Sequence, residues 1–169
     1  KVRALIFDEN GLQAEMTTMQ ISELLNPEAI VADMQAKDKG RALIELTEIL
    51  VAAEPSLKKD EVLAVLQERE KLGSTGIGDG VAIPHGKLAG IPELKLAFGR
   101  SPAGVDFESM DGQPAHLFFL LIAPEESVSV HLKTLARISK LLKDSLVRRK
   151  LMDAPSQAEI YRIIVDEES

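Results

Sequence analysis

Leu117-Phe118-Phe119-Leu120-Leu121-Ile122 is an unbroken apolar run, preceded by an Asp111-Gly112 turn and followed by Pro124. A strand with no polar alternation needs cover on both faces. The run therefore predicts a central strand, and its flanks must supply the cover. Downstream, Val128, Leu132, Leu135, Ile138 and Leu142 carry a helical period from Ser127 to Lys143. A short helix is expected over Asp144 to Met152. Ser156 and Glu159 have the spacing of a capping box for a last helix with Tyr161, Ile164 and Val165. Upstream lie a strand over Leu94 to Gly99, a short one over Val81 to Ile83, and a helix from Lys59 to Leu72. Before them, Ala42, Leu43, Leu46, Ile49, Leu50 and Ala53 make one apolar stripe, with Asp38 as N-cap and Pro55 closing the far end. Ala29 to Met34 reads as a strand, and Ile21 to Leu25 as a short helix ending before Pro27. Helices and strands alternate, which predicts a single α/β domain with its sheet covered by helices on both faces. Residues 1–18 stand apart. Lys1–Phe7 is a strand candidate, Asn10-Gly11 is a turn signal, and Met16 or Met19 is a candidate natural start. They are treated as an atypical N-terminal extension, leaving 19–169 as the domain.

The chain has 169 residues, 45% of them hydrophobic, enough for a sizeable core. A net charge of −7 argues against a nucleic-acid partner or an anionic membrane surface. Cysteine is absent, which excludes disulfides, thiolate zinc sites and cysteine nucleophiles and fits a reducing cytoplasm. No apolar run approaches the roughly 18 residues of a membrane span. Lys1–Phe7, interrupted by Asp8 and Glu9, is too short for a secretory signal. No internal repeat, low-complexity segment or internal linker is present.

The chemistry concentrates in Gly76-Ile77-Gly78-Asp79-Gly80-Val81-Ala82-Ile83-Pro84-His85-Gly86-Lys87, read as a glycine-rich loop. Pro84 restrains the backbone before His85 and Gly86 frees it after. The loop is no phosphate loop, because five residues separate Gly80 from Gly86 and Leu88 follows Lys87. It is no dinucleotide fingerprint either, since the glycines run Gly76, Gly78, Gly80. Arg69 shares a stripe with Val62 and Leu66. An inward arginine is either a snorkelling side chain or a guanidinium aimed at an anion. His131 shares a stripe with Leu135, Ile138 and Leu142 in the first turn of its helix, where an anion is favoured. Its plainer reading is a satisfied, partly buried histidine. His116, at a strand end, has no assigned chemistry. A three-histidine zinc site lacks paired ligand spacing, and no Gly-x-Ser-x-Gly elbow exists. A neutral imidazole that attacks phosphorus, with cationic and N–H donors around it, would account for His85, His131 and Arg69 together.

These residues resemble a known family. Glu68-Arg69-Glu70, Ser74-Thr75 and Gly80-Val81-Ala82-Ile83-Pro84-His85-Gly86-Lys87, with His131-Leu132, Leu135 and Ile138, are similar to the mannitol/fructose-type enzyme IIA domain of the bacterial phosphotransferase system. The resemblance spans about Met19 to Glu167. Ile21-Ser22-Glu23-Leu24-Leu25 and Gln35-Ala36-Lys37-Asp38-Lys39 resemble its stand-alone nitrogen-regulatory branch, often called PtsN. The resemblance implies a mixed β-sheet sandwiched between helices and no metal or organic cofactor. It implies that His85 accepts a phosphoryl group from an HPr-like carrier (NPr in the regulatory branch). His131 would be the second active-site histidine, Arg69 would neutralise charge, and Thr75 would lend weaker support. Implied onward partners are regulatory targets such as potassium-transport or sensor-kinase systems, or a IIB domain in the sugar-transporting branch. A non-phosphorylated binding module of the same fold and a histidine-ligated metal protein are the rival readings.

Overall fold

The structure is a computed structural model and describes residues 4–7, 13–16 and 20–168. Strands β1 (Ala4–Phe7) and β2 (Gln13–Met16) form a separate antiparallel pair. The expected Asn10-Gly11 turn lies outside the described residues. There follow α1 (Ile21–Leu24), β3 (Leu25–Val31), α2 (Lys39–Ala53), α3 (Lys59–Lys71), β4 (Gly76–Gly78), β5 (Val81–Ala82), β6 (His85–Leu88), β7 (Lys95–Val105) and β8 (Ala115–Pro124). Helices α4 (Val128–Lys143), α5 (Ser145–Asp153) and α6 (Gln157–Glu167) complete the chain.

The apolar run is the interior of β8, and every residue from Phe118 to Ala123 is fully buried. The main sheet is mixed, in the order β3-β7-β8-β5-β4, with β6 also paired to β8. Register partners share a face, and successive residues along a strand alternate faces. Gly99 pairs with Phe118, and a Cβ on Gly99 would lie 2.7 Å from Leu46 of α2. The next residue, Arg100, instead donates to the Leu151 carbonyl of α5. Helix α2 therefore covers one face and α5 the other. Edge-to-face pairs mark both layers, Phe107–Phe118 on the first and Phe98–Phe119 on the second.

Asp38 caps α2 as expected, its carboxylate accepting from Arg41 N at 2.9 Å. Only half of the expected capping box forms. Ser156 Oγ accepts from Glu159 N, but the Glu159 carboxylate turns to Arg162. The strand expected over Ala29–Met34 instead runs over Leu25–Val31 and includes Pro27. Its position at the sheet edge and a register shift between Leu25 and Ile30 accommodate the missing N–H. β7 runs beyond Gly99 to Val105, which pairs with Ala115, although Pro102 and Gly104 hide this extension in the sequence.

The largest correction concerns the glycine-rich segment. Besides the expected short strand at Val81–Ala82, it forms two more, β4 and β6, where a loop was expected. Val81↔Leu117, Ala82↔Phe118 and His85↔Leu121 hold one register along β8. Thus β5 and β6 are one strand interrupted at Ile83-Pro84. Pro84 has no N–H for the ladder, yet its carbonyl still accepts from Leu121 N at 3.0 Å.

Candidate active site

The β6 strand directs adjacent residues to opposite faces. Gly86 faces α3, where a Cβ would stand 3.0 Å from Val65. A side chain there would push α3 off the sheet, so the glycine serves close packing. His85, one position earlier, faces the α4 side and is half-buried. Its ring meets that of His131, 46 residues away in sequence, with centroids 5.4 Å apart and planes at 79°.

His85 Nδ1 lies 2.8 Å from the Ile83 carbonyl. A carbonyl can only accept, so Nδ1 carries the proton and Nε2 keeps its lone pair. Burial holds the His85 pKa below its ordinary value of 6.5. The Ile83 bond raises it, the Arg69 charge lowers it and the Glu70 charge raises it, but burial prevails. The ring is therefore mostly neutral at pH 7.

His131 is 5% exposed, and its Nε2 has no hydrogen-bond partner. Its pKa is pushed down to about 4, chiefly by burial and further by the charges of His85 and Lys87. Its backbone N–H bonds Ser127 O at 3.0 Å, so what His131 can offer a ligand comes from the ring. A buried polar atom without a partner is uncommon and calls for a reason.

Arg69, at the end of α3, is half-buried, and its Nη1 donates to Gly73 O at 2.9 Å. Its charge reaches His85, but it makes no direct bond to the ring. Thr75 is buried, and its hydroxyl and N–H both donate to the Glu70 carboxylate. Its own carbonyl accepts from Ile83 N at 3.0 Å. Thr75 thus reaches His85 only through the backbone. Sequence reasoning missed Glu70 and its partner Lys39, which pair at 3.0 Å. Glu70 sits in the surface-like triplet Glu68-Arg69-Glu70, and helical periodicity does not code a contact from a helix end to the following turn. His116 closes on Ser101 O at 2.8 Å. Among the described residues, no group of three or more His, Cys, Asp or Glu could hold a metal ion, and no helix is long and apolar enough to cross a membrane.

A mixed sheet between helices, with two facing imidazoles at the sheet edge, defines an α/β domain built around a paired-histidine site. The family model described as "Phosphoenolpyruvate-dependent sugar phosphotransferase system, EIIA 2" matches residues 23–167. A nitrogen regulatory protein of Bradyrhizobium diazoefficiens is 45% identical over 147 residues, covering 86% of this chain and 95% of that protein. The fructose-specific EIIABC component of Bacillus subtilis is 40% identical over 146 residues, covering 86% of this chain and 23% of that longer protein. The crystal structure of the nitrogen regulatory protein IIA-Ntr from Neisseria meningitidis matches with a TM-score of 0.80 and 39% identity, over 85% of this chain and 98% of that one. The chain belongs to the type 2 enzyme IIA family of the phosphoenolpyruvate-dependent phosphotransferase system. It is a IIA-type phosphotransfer component, close to the nitrogen regulatory proteins.

Proposed function

We propose that this chain carries a phosphoryl group on Nε2 of His85, accepted from the phosphohistidine of an HPr-like carrier that is charged from phosphoenolpyruvate. The observation that carries this reading is the Nδ1–Ile83 O bond, which leaves Nε2 as the nucleophilic nitrogen of a neutral ring. In the step, the carrier's N–P bond breaks and the carrier ring keeps the electron pair. The Nε2–P bond forms in line, while the proton stays on Nδ1, donated to the Ile83 carbonyl. The phosphoryl oxygens carry spread negative charge and need donors fixed in advance. The orphaned Nε2 of His131 gains its missing partner when it donates to one of these oxygens. Arg69 lends positive charge from the end of α3, and Thr75 supports the turn beneath the ring.

Similarity to nitrogen regulatory proteins favours a regulatory output, in which phosphorylation governs docking to targets such as potassium-transport or sensor-kinase systems. A phosphoryl group adds roughly two negative charges, enough to change a docking surface. The 40% identity to a fructose-specific component supports a second reading, in which the group passes to a IIB domain. Residues 19–169 form the IIA-type domain, 1–18 an extension with no assigned role, and the site of action is the cytoplasm.

The test is intact mass after incubation with phosphoenolpyruvate, enzyme I and an HPr-type carrier. An acid-labile increment of one phosphoryl group is expected, and it disappears in His85→Ala. No increment with any cognate carrier would sink the proposal.

A further inference from the structure

Beneath the paired histidines runs a continuous set of polar contacts that ends on the His85 ring. Lys39 Nζ, at the start of α2, lies 3.0 Å from Glu70 Oε1, and the two side chains are 16% and 6% exposed. The same ammonium stands 5.2 Å above the Phe107 ring, which fixes it from the other side. Glu70 accepts from Thr75 twice, through the backbone N–H at 3.2 Å and through the hydroxyl. The Thr75 carbonyl accepts from Ile83 N at 3.0 Å, and the Ile83 carbonyl accepts from His85 Nδ1 at 2.8 Å. Each link constrains the next, because a residue held at both N–H and C=O cannot turn its peptide planes independently.

Taking the phosphoryl-acceptor reading of His85 as its base, we infer that Glu70 is a positioning residue: clamped by Lys39, it fixes Thr75, and through Thr75 and Ile83 it fixes the carbonyl that holds His85 in its Nδ1–H tautomer. Pro84 removes the ladder hydrogen bond at the residue just before His85. Ile83, which must aim the decisive carbonyl, turns its peptide groups away from β8 and takes its anchor from Thr75 on the β4 side. Nearly buried carboxylates are rare unless paired, and this one is bonded on both oxygens. The charged or titratable groups that act on the His85 ring are Arg69 and Glu70 from α3 and His131 from α4.

Glu70→Gln keeps the shape and removes the charge. The readouts are the phosphoryl-transfer rate to His85 and an NMR titration of the His85 ring nitrogens without any carrier. The rate is expected to fall roughly 10- to 100-fold, the range that a misplaced reacting group costs. The His85 pKa is expected to drop below its wild-type value, because the Glu70 charge raises it. Nitrogen shifts should show the Nδ1–H tautomer losing its dominance. Glu70→Asp restores the charge and should recover the pKa and part of the rate. If Glu70→Gln fails to fold, Thr75→Val removes only the hydroxyl link and should move tautomer and rate in the same direction. Wild-type tautomer, pKa and rate in the folded variants would overturn the inference. The titration needs no phosphoryl donor, so it reads the positioning role even if wild-type His85 takes no phosphoryl group, an outcome that would overturn the proposed function instead.

Discussion

Two polar groups are buried against the same face of the sheet, and they behave in opposite ways. Arg100, 8% exposed, donates through Nε to Ala32 O at 2.9 Å and through Nη1 to the carbonyls of Leu151, Met152 and Ala154. It stitches β7 to the chain after β3 and satisfies carbonyls at the C-terminal end of α5, which a helix leaves without intrahelical partners. His131, 5% exposed, leaves Nε2 with nothing. Burial alone therefore does not mark function. A saturated buried group holds the fold together, whereas an unsatisfied one beside a second imidazole is ready for a ligand. The contrast yields a double dissociation between stability and transfer.

The largest effects should fall on transfer. His131→Ala should lower the phosphoryl-transfer rate to His85 by roughly 100-fold, as loss of one preorganised donor does. Arg69→Ala, which removes a less directly placed charge, should lower it by roughly tenfold. Both proteins should unfold in urea within about 1 kcal/mol of wild type, since His131 Nε2 has no protein partner and the Gly73 carbonyl that Arg69 bonds is exposed to water. A neutral result for either in rapid-quench transfer assays would end its assigned role.

Arg100→Met should do the reverse. The freed carbonyls lose a charged donor, and stability should fall by about 3 kcal/mol in urea titrations. The folded fraction should still accept phosphoryl groups at the wild-type rate. If stability were unchanged, the distinction drawn between the two buried groups would fail.

A further effect is a dependence on pH. The folded-state pKa of His131 lies near 4 against an ordinary 6.5, so between these values the unfolded chain holds a proton that the folded chain lacks. Stability contributed by the neutral ring is full above 6.5 and is lost as pH falls toward 4. Melting temperature should decline across that window, and His131→Gln should flatten the decline. The His85 shift has the same sign, so transfer should hold steady near neutrality and weaken only as that ring protonates in acid.

Most of the fold was legible because it rests on local signals. The apolar run of β8, the stripe of α2 with its Asp38 cap, and the period of α4 are each readable within one segment. β4 and β6 were not legible, because glycine and proline carry no strand pattern and those segments are strands only by virtue of what they pair with. The site divides in the same way. His85 and His131 stood out as residues out of keeping with their surroundings, and the fold brings their rings together. Glu70 and Arg100 look like ordinary charges in the sequence, and only packing reveals one as a clamp and the other as a stitch.

The layered α/β plan and a short set of chemically unusual residues can thus be read along the chain, because periodicity, capping and residue type are properties of neighbouring residues. That His85 lies on a strand, that its Nε2 keeps the lone pair, and that His131 Nε2 is left unsatisfied emerge only from packing. Those depend on a proline that interrupts a ladder, on a carbonyl two residues back, and on a helix 46 residues further along. Hydrogen-bond satisfaction is settled between distant segments, and no local pattern records it.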